Sequence, residues 1–194
     1  MGEKSIQKRQ FILETAKTIF MEKGYKNVTM KDIVEACNIS RGGLYLYFDN
    51  TRDIFAEILK LESQETDDLF SGKIGENATA SEILALLLKE QKKELLRKKN
   101  NLAVATYEYF FENKTAKKDN VLRIRFDEAV SVLEALIEEG VETGEFYCDN
   151  PKGCARNIMY VLEGLKAAAN TIGITEKTVD DELMYIMQGL IVEE

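Results

Sequence analysis

The chain of 194 residues is 45% hydrophobic and 31% charged. It lacks the run of about 20 apolar residues that a membrane span needs, and its polar first ten residues do not resemble a secretory signal. We therefore expect a globular, cytoplasmic protein. It contains no histidine, so Ser-His and Cys-His nucleophile arrangements are excluded. Its three cysteines are an odd number, which argues against a disulfide framework. We therefore expect no enzyme, no metal site and no cofactor. The net charge of -8 argues against a nucleic-acid partner for the chain as a whole, but residues 1–60 carry ten Lys or Arg against eight Asp or Glu, so a local DNA-binding surface remains open.

Helical periodicity dominates the first 50 residues. Apolar residues at helical spacing predict a first helix from Ser5 to a C-terminal Gly24. Thr29 is placed to cap a short second helix, and Asn38 tolerates the left-handed conformation that can end it. Ser40 then caps a third short helix. Two short helices joined by a three-residue turn are typical of a helix-turn-helix, whose second helix enters the major groove of DNA.

Further helices are predicted along the rest of the chain. A connector helix runs from about residue 51 to residue 70, and Gly and Asn residues indicate a loop over 71–80. Helices follow at roughly 81–98, 102–113, 118–143, 151–172 and 178–192, and strand signals are scarce. We therefore predict an all-α protein with a helix-turn-helix domain at 1–50 and a larger C-terminal domain at 71–194.

Two adjacent glycines, Gly42 and Gly43, lie at the start of the second helix of the predicted helix-turn-helix. Each glycine costs a helix about 1 kcal/mol relative to alanine, so a purely structural helix would gain nothing from them. Without side chains they let the backbone approach a partner closely. The polar side chains around them that can reach phosphates or base edges are those of Ser40, Arg41, Tyr45 and Tyr47.

A set of spaced positions from about residue 7 to residue 59 carries a family resemblance. The positions are Phe20-Met-Glu-Lys-Gly24-Tyr25, Thr29, Ile33-Val34, Ala36, Ile39-Ser40 and Gly42 to Phe48. They resemble the DNA-binding region of the TetR/AcrR family of bacterial regulators. The resemblance implies an N-terminal three-helix DNA-binding module, a C-terminal domain that binds an effector and dimerises, and a homodimer that usually acts as a repressor. A dimer of this kind is expected to read a palindromic operator in successive major grooves.

The resemblance also implies roles for individual residues. Thr29 and Tyr47 become phosphate contacts, and Leu44 and Phe48 stay in the core. The family often has lysine where this chain has Thr51, and the neighbouring Arg52 is a candidate to replace it. The expected DNA-binding set is Thr29, Ser40, Arg41, Gly42, Gly43, Tyr45, Tyr47, Thr51 and Arg52.

The C-terminal helices contain two further groups of candidate residues. The first group can either pack in the core or line a pocket for a small-molecule effector; it consists of Tyr107, Phe110, Phe111, Met159 and Glu163. The second group gives the last two helices more apolar surface than one core needs, and the resemblance assigns it to a four-helix dimer interface. Its members are Ile158, Leu162, Leu165, Leu183, Ile186, Met187 and Leu190.

Two other classes of function remain as alternatives. A helical enzyme that uses carboxylate pairs lacks support from histidines, metal-ligand clusters or a glycine-rich phosphate loop. A helical adaptor that binds another protein through residues 81–192 would show no DNA affinity. Neither explains the paired glycines. The basic cluster Lys89, Lys92, Lys93, Arg97, Lys98 and Lys99 is interpreted as a solvated helix face rather than a second nucleic-acid site, and the cysteines as apolar filler.

Overall fold

The computed structural model describes residues 2–68, 78–97, 102–114 and 116–190. Within these ranges the chain is helical and has no β-strand, which confirms the all-α prediction. The helices are α1 (Glu3–Lys23), α2 (Met30–Cys37), α3 (Arg41–Tyr45), α4 (Thr51–Asp68), α5 (Ala80–Leu96), α6 (Ala103–Glu112), α7 (Val121–Thr143), α8 (Pro151–Thr171) and α9 (Glu176–Gln188), with a 3-10 turn at Lys117–Asp119. None of these helices is long and apolar enough to cross a membrane.

The helix boundaries follow the capping residues closely. Helix α1 starts two residues before the predicted Ser5, since Gly2 is extended and its carbonyl accepts from the Ser5 N–H at 2.9 Å. Helix α7 starts at Val121 instead of residue 118, because the preceding residues form the 3-10 turn. The Thr175 hydroxyl accepts from the Thr178 N–H and starts α9. Most of the predicted loop at 71–80, the last residues of the predicted connector (69 and 70), residue 98 and residues 191 and 192 lie outside the described residues.

The first compact unit comprises Met1–Asp68 and Lys99–Val121. It therefore contains α6, which the sequence analysis grouped with the C-terminal domain. The cause is an aromatic cluster in which Tyr109 of α6 contacts Tyr25 at 5.1 Å and Phe55 at 5.2 Å between ring centroids. Phe20 meets Phe55 edge to face, with 4.8 Å between ring centroids. These rings are buried, so α6 completes the core of the first unit.

Polar contacts hold α6 to the turn after α1. The Glu108 carboxylate accepts from the backbone N–H of Lys26 at 3.1 Å, and Asn113 donates to the Tyr25 hydroxyl at 3.2 Å. Gly24 ends α1 with φ +75, and a Cβ there would lie 2.7 Å from a carboxylate oxygen of Glu108. The positive φ therefore favours glycine at position 24, and an added Cβ would also displace the Glu108 carboxylate.

The second compact unit comprises Leu69–Lys98 and Leu122–Glu194. Its core is built from apolar residues of α5, α7, α8 and α9, among them Leu84, Ile137, Ile158, Val179 and Leu190.

Two polar contacts fix helix ends in the second unit. The Glu145 carboxylate accepts from the Ser81 N–H at 3.0 Å and from the Ser81 hydroxyl at 2.6 Å, and these hydrogen bonds lower the pKa of Glu145 to about 2. Lys92 of α5 pairs with Glu176 at 2.9 Å and with Asp180 at 2.6 Å. Both α5 and α9 are therefore tied at defined positions in addition to their apolar packing.

Candidate nucleic-acid interface

A three-residue turn separates α2 from α3. Asn38 ends α2 in the left-handed conformation, with φ 50 and ψ 48, and its N–H donates to the Glu35 carbonyl at 3.1 Å. Asn38 is the non-glycine residue with positive φ in the described part of the chain, and asparagine accepts this conformation more readily than most residues. The sequence prediction for this residue is confirmed, and the turn has the geometry of a helix-turn-helix.

A capping box starts α2. The Thr29 hydroxyl accepts from the Asp32 N–H at 3.2 Å, and the Asp32 carboxylate accepts from the Thr29 N–H at 2.8 Å. Lys23 of α1 donates to the same carboxylate at 2.6 Å. The hydrogen bonds from Lys23 and Thr29 hold the pKa of Asp32 far below its usual range, so the carboxylate is ionised wherever DNA binding would be measured. The start of α2 is thereby fixed to the end of α1.

Helix α3 presents different surfaces on its two sides. Leu44 is fully buried and Phe48, just beyond the helix, is 4% exposed. Ser40 caps the helix by accepting from the Gly43 N–H at 3.0 Å. On the outer side, the exposed Arg41 guanidinium stacks over the Tyr45 ring at 5.5 Å from its centroid. The charged side chain of the pair is thus held on the side that faces away from the protein.

The two glycines of α3 have different physical roles. A Cβ on Gly43 would lie 3.1 Å from the Ser40 hydroxyl oxygen, so this glycine accommodates the cap. A Cβ on Gly42 would meet no atom within 4 Å. Packing against the described residues therefore does not call for glycine at position 42, and a bare backbone there leaves space for a partner to approach closely.

The predicted phosphate contacts lie around this surface in different environments. Tyr47 is half-buried and packs against the first core. Thr51 is half-buried at the first turn of α4, and the exposed Arg52 lies 3.7 Å from the Asp53 carboxylate. The Asn50 side chain accepts from the Asp53 N–H at 2.9 Å and starts the helix. The Arg52 side chain is accessible, but the Asp53 carboxylate partly offsets its charge.

The sequence analysis missed one exposed residue in this region, Leu46. It directly follows α3 and is 81% exposed, whereas Tyr45 is 40% exposed. Its position could have been recognised from helical spacing, because Leu46 lies four residues after Gly42 and away from the buried Leu44. The sequence prediction named only the polar residues and glycines of this helix as DNA contacts, so it did not include an apolar one.

The predicted effector residues are divided between the two compact units. Phe110 packs against the core of the first unit, and Phe111 is 81% exposed. Met159 packs against the core of the second unit. Glu163 accepts from Lys166 at 2.6 Å on the same helix. Tyr107 is half-buried on α6. These residues therefore do not form one cluster within either unit.

The predicted dimer-interface residues lie within the chain's own second core, which corrects their expected placement. Ile158, Leu162, Leu165, Leu183, Ile186 and Leu190 are buried there, and Met187 packs against them in a half-buried position. Packing of α8 and α9 against α5 and α7 accounts for this apolar surface. The exposed apolar residues of the same helices are others, including Tyr160, Met184 and Tyr185.

The basic cluster of α5 is largely neutralised by nearby carboxylates. Besides the two partners of Lys92, Lys93 pairs with Glu90 at 2.7 Å and Arg97 with Glu94 at 3.2 Å. Lys98 and Lys99 lie outside the described residues. Paired cations of this kind are typical of a solvated helix face.

The cysteines lie in apolar surroundings. Cys37 is buried in the first core, and burial raises the pKa of its thiol. Cys148 and Cys154 pack against the second core, where burial raises the pKa of Cys154 to about 11. Their environment favours packing over thiolate chemistry.

Two family models and a known relative match this chain. The family model described as "Bacterial regulatory proteins, tetR family" matches residues 12–58, and the model "Tetracyclin repressor-like, C-terminal domain" matches residues 83–180. The HTH-type transcriptional regulator YfiR of Bacillus subtilis (strain 168) is 34% identical over 136 residues, which is 70% of this chain and 66% of that protein.

Solved structures share the fold at lower identity. A transcriptional regulator from Saccharomonospora viridis in complex with choline superposes with a TM-score of 0.81 at 21% identity, covering 96% of this chain and 98% of that one. The transcriptional regulator FadR from Bacillus subtilis in complex with stearoyl-CoA gives a TM-score of 0.72 at 21% identity, covering 93% and 98%. The whole described architecture, and not the helix-turn-helix alone, is therefore shared with these proteins.

The left-handed turn residue gives a direct test of the local geometry. Replacing Asn38 by valine should lower the free energy of unfolding by about 1–2 kcal/mol, since a β-branched residue is strained at positive φ. Urea unfolding followed by circular dichroism measures the change. The matched control is Asn38→Gly, which removes the same side chain but accepts the backbone conformation and should unfold close to the wild type. Equal destabilisation by both variants would show that the side chain, and not the backbone, matters.

Proposed function

Because the chain belongs to the TetR family of bacterial regulatory proteins and carries a DNA-binding helix-turn-helix, we propose that it is a repressor that binds a palindromic operator as a homodimer and leaves it when a small molecule binds. The proposal rests above all on α3. Leu44 is buried on one side of this helix, and the bare Gly42 and the charged Arg41 are exposed on the other.

The outer side of α3 supports a role in the major groove. Arg41 supplies a cation and hydrogen-bond donors for a base edge or a phosphate, and its stacking on Tyr45 restricts its position before DNA binds. Ser40 and Gly43 place the start of the helix through the cap. Gly42 removes the side chain that would separate the helix backbone from the groove.

Phosphate contacts on either side would hold this helix in register. The candidates are Thr29 at the start of α2, Tyr47, and Thr51 and Arg52 at the start of α4. The Thr29 N–H and the Thr29 hydroxyl both donate to the Asp32 carboxylate, so a phosphate contact by Thr29 would require its hydroxyl to exchange the carboxylate for the phosphate. Phosphates near the starts of α2 and α4 would also be favoured by the helix dipoles.

Homodimerisation is best supported by the outer faces of α8 and α9. Tyr160 and Ala167 are exposed on α8, and between them Gly164 has no atom within 4 Å of a built Cβ. Met184 and Tyr185 are exposed on α9. Small residues beside aromatic ones allow two helices to approach closely and bury the rings. We therefore assign the proposed interface to these residues rather than to the buried ones of the same helices.

Ligand response requires residues for binding and a route to the DNA-binding region. The candidates for binding remain Tyr107, Phe110, Phe111, Met159 and Glu163. The solved relatives with choline and with stearoyl-CoA show that this fold accommodates small molecules of very different polarity. The fold similarity alone does not select one of these classes for this chain.

Helix α6 is the proposed route. It packs in the first unit, yet it is joined along the chain to α5 and to α7, which both belong to the second unit. A ligand that shifts these neighbours would pull on α6. The hydrogen bond from Lys26 to Glu108 and the contact at Gly24 would then pass the displacement to the end of α1.

Operator binding is tested by gel shift on the DNA upstream of the protein's own gene, at two salt concentrations. The wild type should bind one palindrome in a salt-sensitive way. Arg41→Ala should weaken binding by about 1–3 kcal/mol and Tyr47→Phe by about 1 kcal/mol, as expected for a base contact and a single hydrogen bond.

Arg123→Ala, on α7, is the control for loss of an exposed arginine. Unchanged operator affinity in both Arg41→Ala and Tyr47→Phe would refute the DNA-binding surface assigned to α3. If the wild type does not bind DNA at low salt, the alternative of a helical adaptor that binds another protein is favoured.

The dimer interface is tested by placing a charge on the bare part of α8. Gly164→Lys has room within one chain, so the fold should persist while the dimer dissociates, because a lysine would have to be buried between two copies. Sedimentation equilibrium should give a monomer for this variant and a dimer for the wild type. Ala135→Lys introduces the same charge at an exposed alanine of α7 and should remain dimeric. A dimeric Gly164→Lys protein would place the interface elsewhere.

Ligand response and its route are tested together with two probes, stearoyl-CoA and choline. One of them should raise the dissociation constant for the operator by about 5- to 150-fold, the usual range of allosteric coupling. Glu108→Ala should bind the operator normally without the probe but show a smaller increase with it. Glu112→Ala is the control on the same helix, since its exposed pair with Lys26 at 3.6 Å contributes little. If neither probe changes the affinity, both of these ligand classes are excluded.

A further inference from the structure

We propose that Leu46 reads the methyl group of a thymine in the major groove of the operator, an inference that rests on the proposed DNA binding. A single exposed leucine is common on protein surfaces. Leu46 differs because it follows α3 on the side of the helix-turn-helix proposed to face DNA, and because it is 81% exposed there, so burial against the described residues does not explain an apolar side chain at this position.

The backbone places Leu46 one helical turn after Gly42. Its N–H donates to the Gly42 carbonyl at 3.2 Å, and its φ of -68 and ψ of -19 continue the helical conformation. Gly42 and Leu46 therefore form one row along the outer side of α3. Arg41 and Tyr45, which are also four residues apart, form the row beside it.

Glycine at position 42 leaves room for the leucine side chain. Side chains on a helix lean toward the preceding turn, so a residue covers the surface above the residue four positions earlier. A Cβ built on Gly42 meets no atom within 4 Å, so the turn before Leu46 has no side chain that would hold a base edge away from the leucine. Leu46 is thus an accessible apolar side chain at the end of the short helix that carries the charged and aromatic pair of Arg41 and Tyr45.

Major-groove chemistry identifies a partner for such a surface. Among the base edges in the major groove, the C5-methyl group of thymine is the apolar one. The other base edges offer hydrogen-bond donors and acceptors, which a leucine would desolvate without replacing. An exposed leucine that faces the groove therefore favours thymine, and it disfavours cytosine, whose amino donor would lose its water partners.

The test removes only the methyl group. A duplex is first selected with the wild-type protein from a random-sequence pool, and each thymine is then replaced by uracil in both half-sites. One replacement should weaken wild-type binding about fourfold per half-site, the effect of exposing one buried methyl group. Fluorescence anisotropy at fixed salt measures each dissociation constant.

Leu46→Ala links the effect to the residue. This variant should bind the thymine and uracil duplexes equally, and it should fold as the wild type does because position 46 is exposed. Val132→Ala, at an exposed apolar position of α7, should keep the difference of about fourfold per half-site. Retention of that difference by Leu46→Ala would assign the methyl contact to another residue and overturn the inference.

The other outcomes separate this inference from the proposed function. If the wild type binds the selected duplex tightly but no uracil replacement weakens binding, the protein is a DNA-binding regulator and Leu46 does not read a methyl group. If no duplex is selected, operator binding itself fails and the role of Leu46 fails with it.

Discussion

Burial of Leu44 is the contact on which the position of the recognition helix depends. Helix α3 has five residues, far too few to be stable through its own hydrogen bonds. Its conformation is imposed by Leu44 and Phe48 in the first core, by the Ser40 cap at one end and by the turn at Asn38 before it. The exposed side of α3 can carry two glycines and an arginine because the buried side, the cap and the turn supply its stability.

The core that holds Leu44 extends to α6 through the aromatic cluster. Phe20, Tyr25 and Phe55 come from the first part of the chain, and Tyr109 comes from α6. The packing of α3 and the packing of α6 share one core, and this shared core is the physical basis of the route proposed for ligand response. The arrangement also explains why polar contacts accompany the rings at Glu108 and Asn113: they set the position of α6 along the end of α1.

Local signals in the sequence predicted local structure well. Thr29, Asn38 and Ser40 act through hydrogen bonds and dihedral angles within four residues, and the two caps and the left-handed turn residue are found as predicted. The membership of α6 in the first unit depends on a contact between residues 25 and 109, which no local pattern contains. The apolar stripe of α8 and α9 was also recognised, but periodicity shows only that a face is buried. It does not show whether the chain itself or a second copy covers that face, so the interface was first assigned to residues that belong to the core.

The place of α6 has a consequence for protein engineering. An exchange of sensory domains between regulators of this kind would naturally cut the chain near residue 70. Here such a cut would separate Tyr109 from Tyr25 and Phe55 and leave the faces of these rings open to water. It would also place Gly24 beside an α6 from a different protein, in which the residue at the position of Glu108 can have another size or charge. A workable chimera would have to transplant residues 103–113 together with the N-terminal region, as a separate segment of the donor sequence.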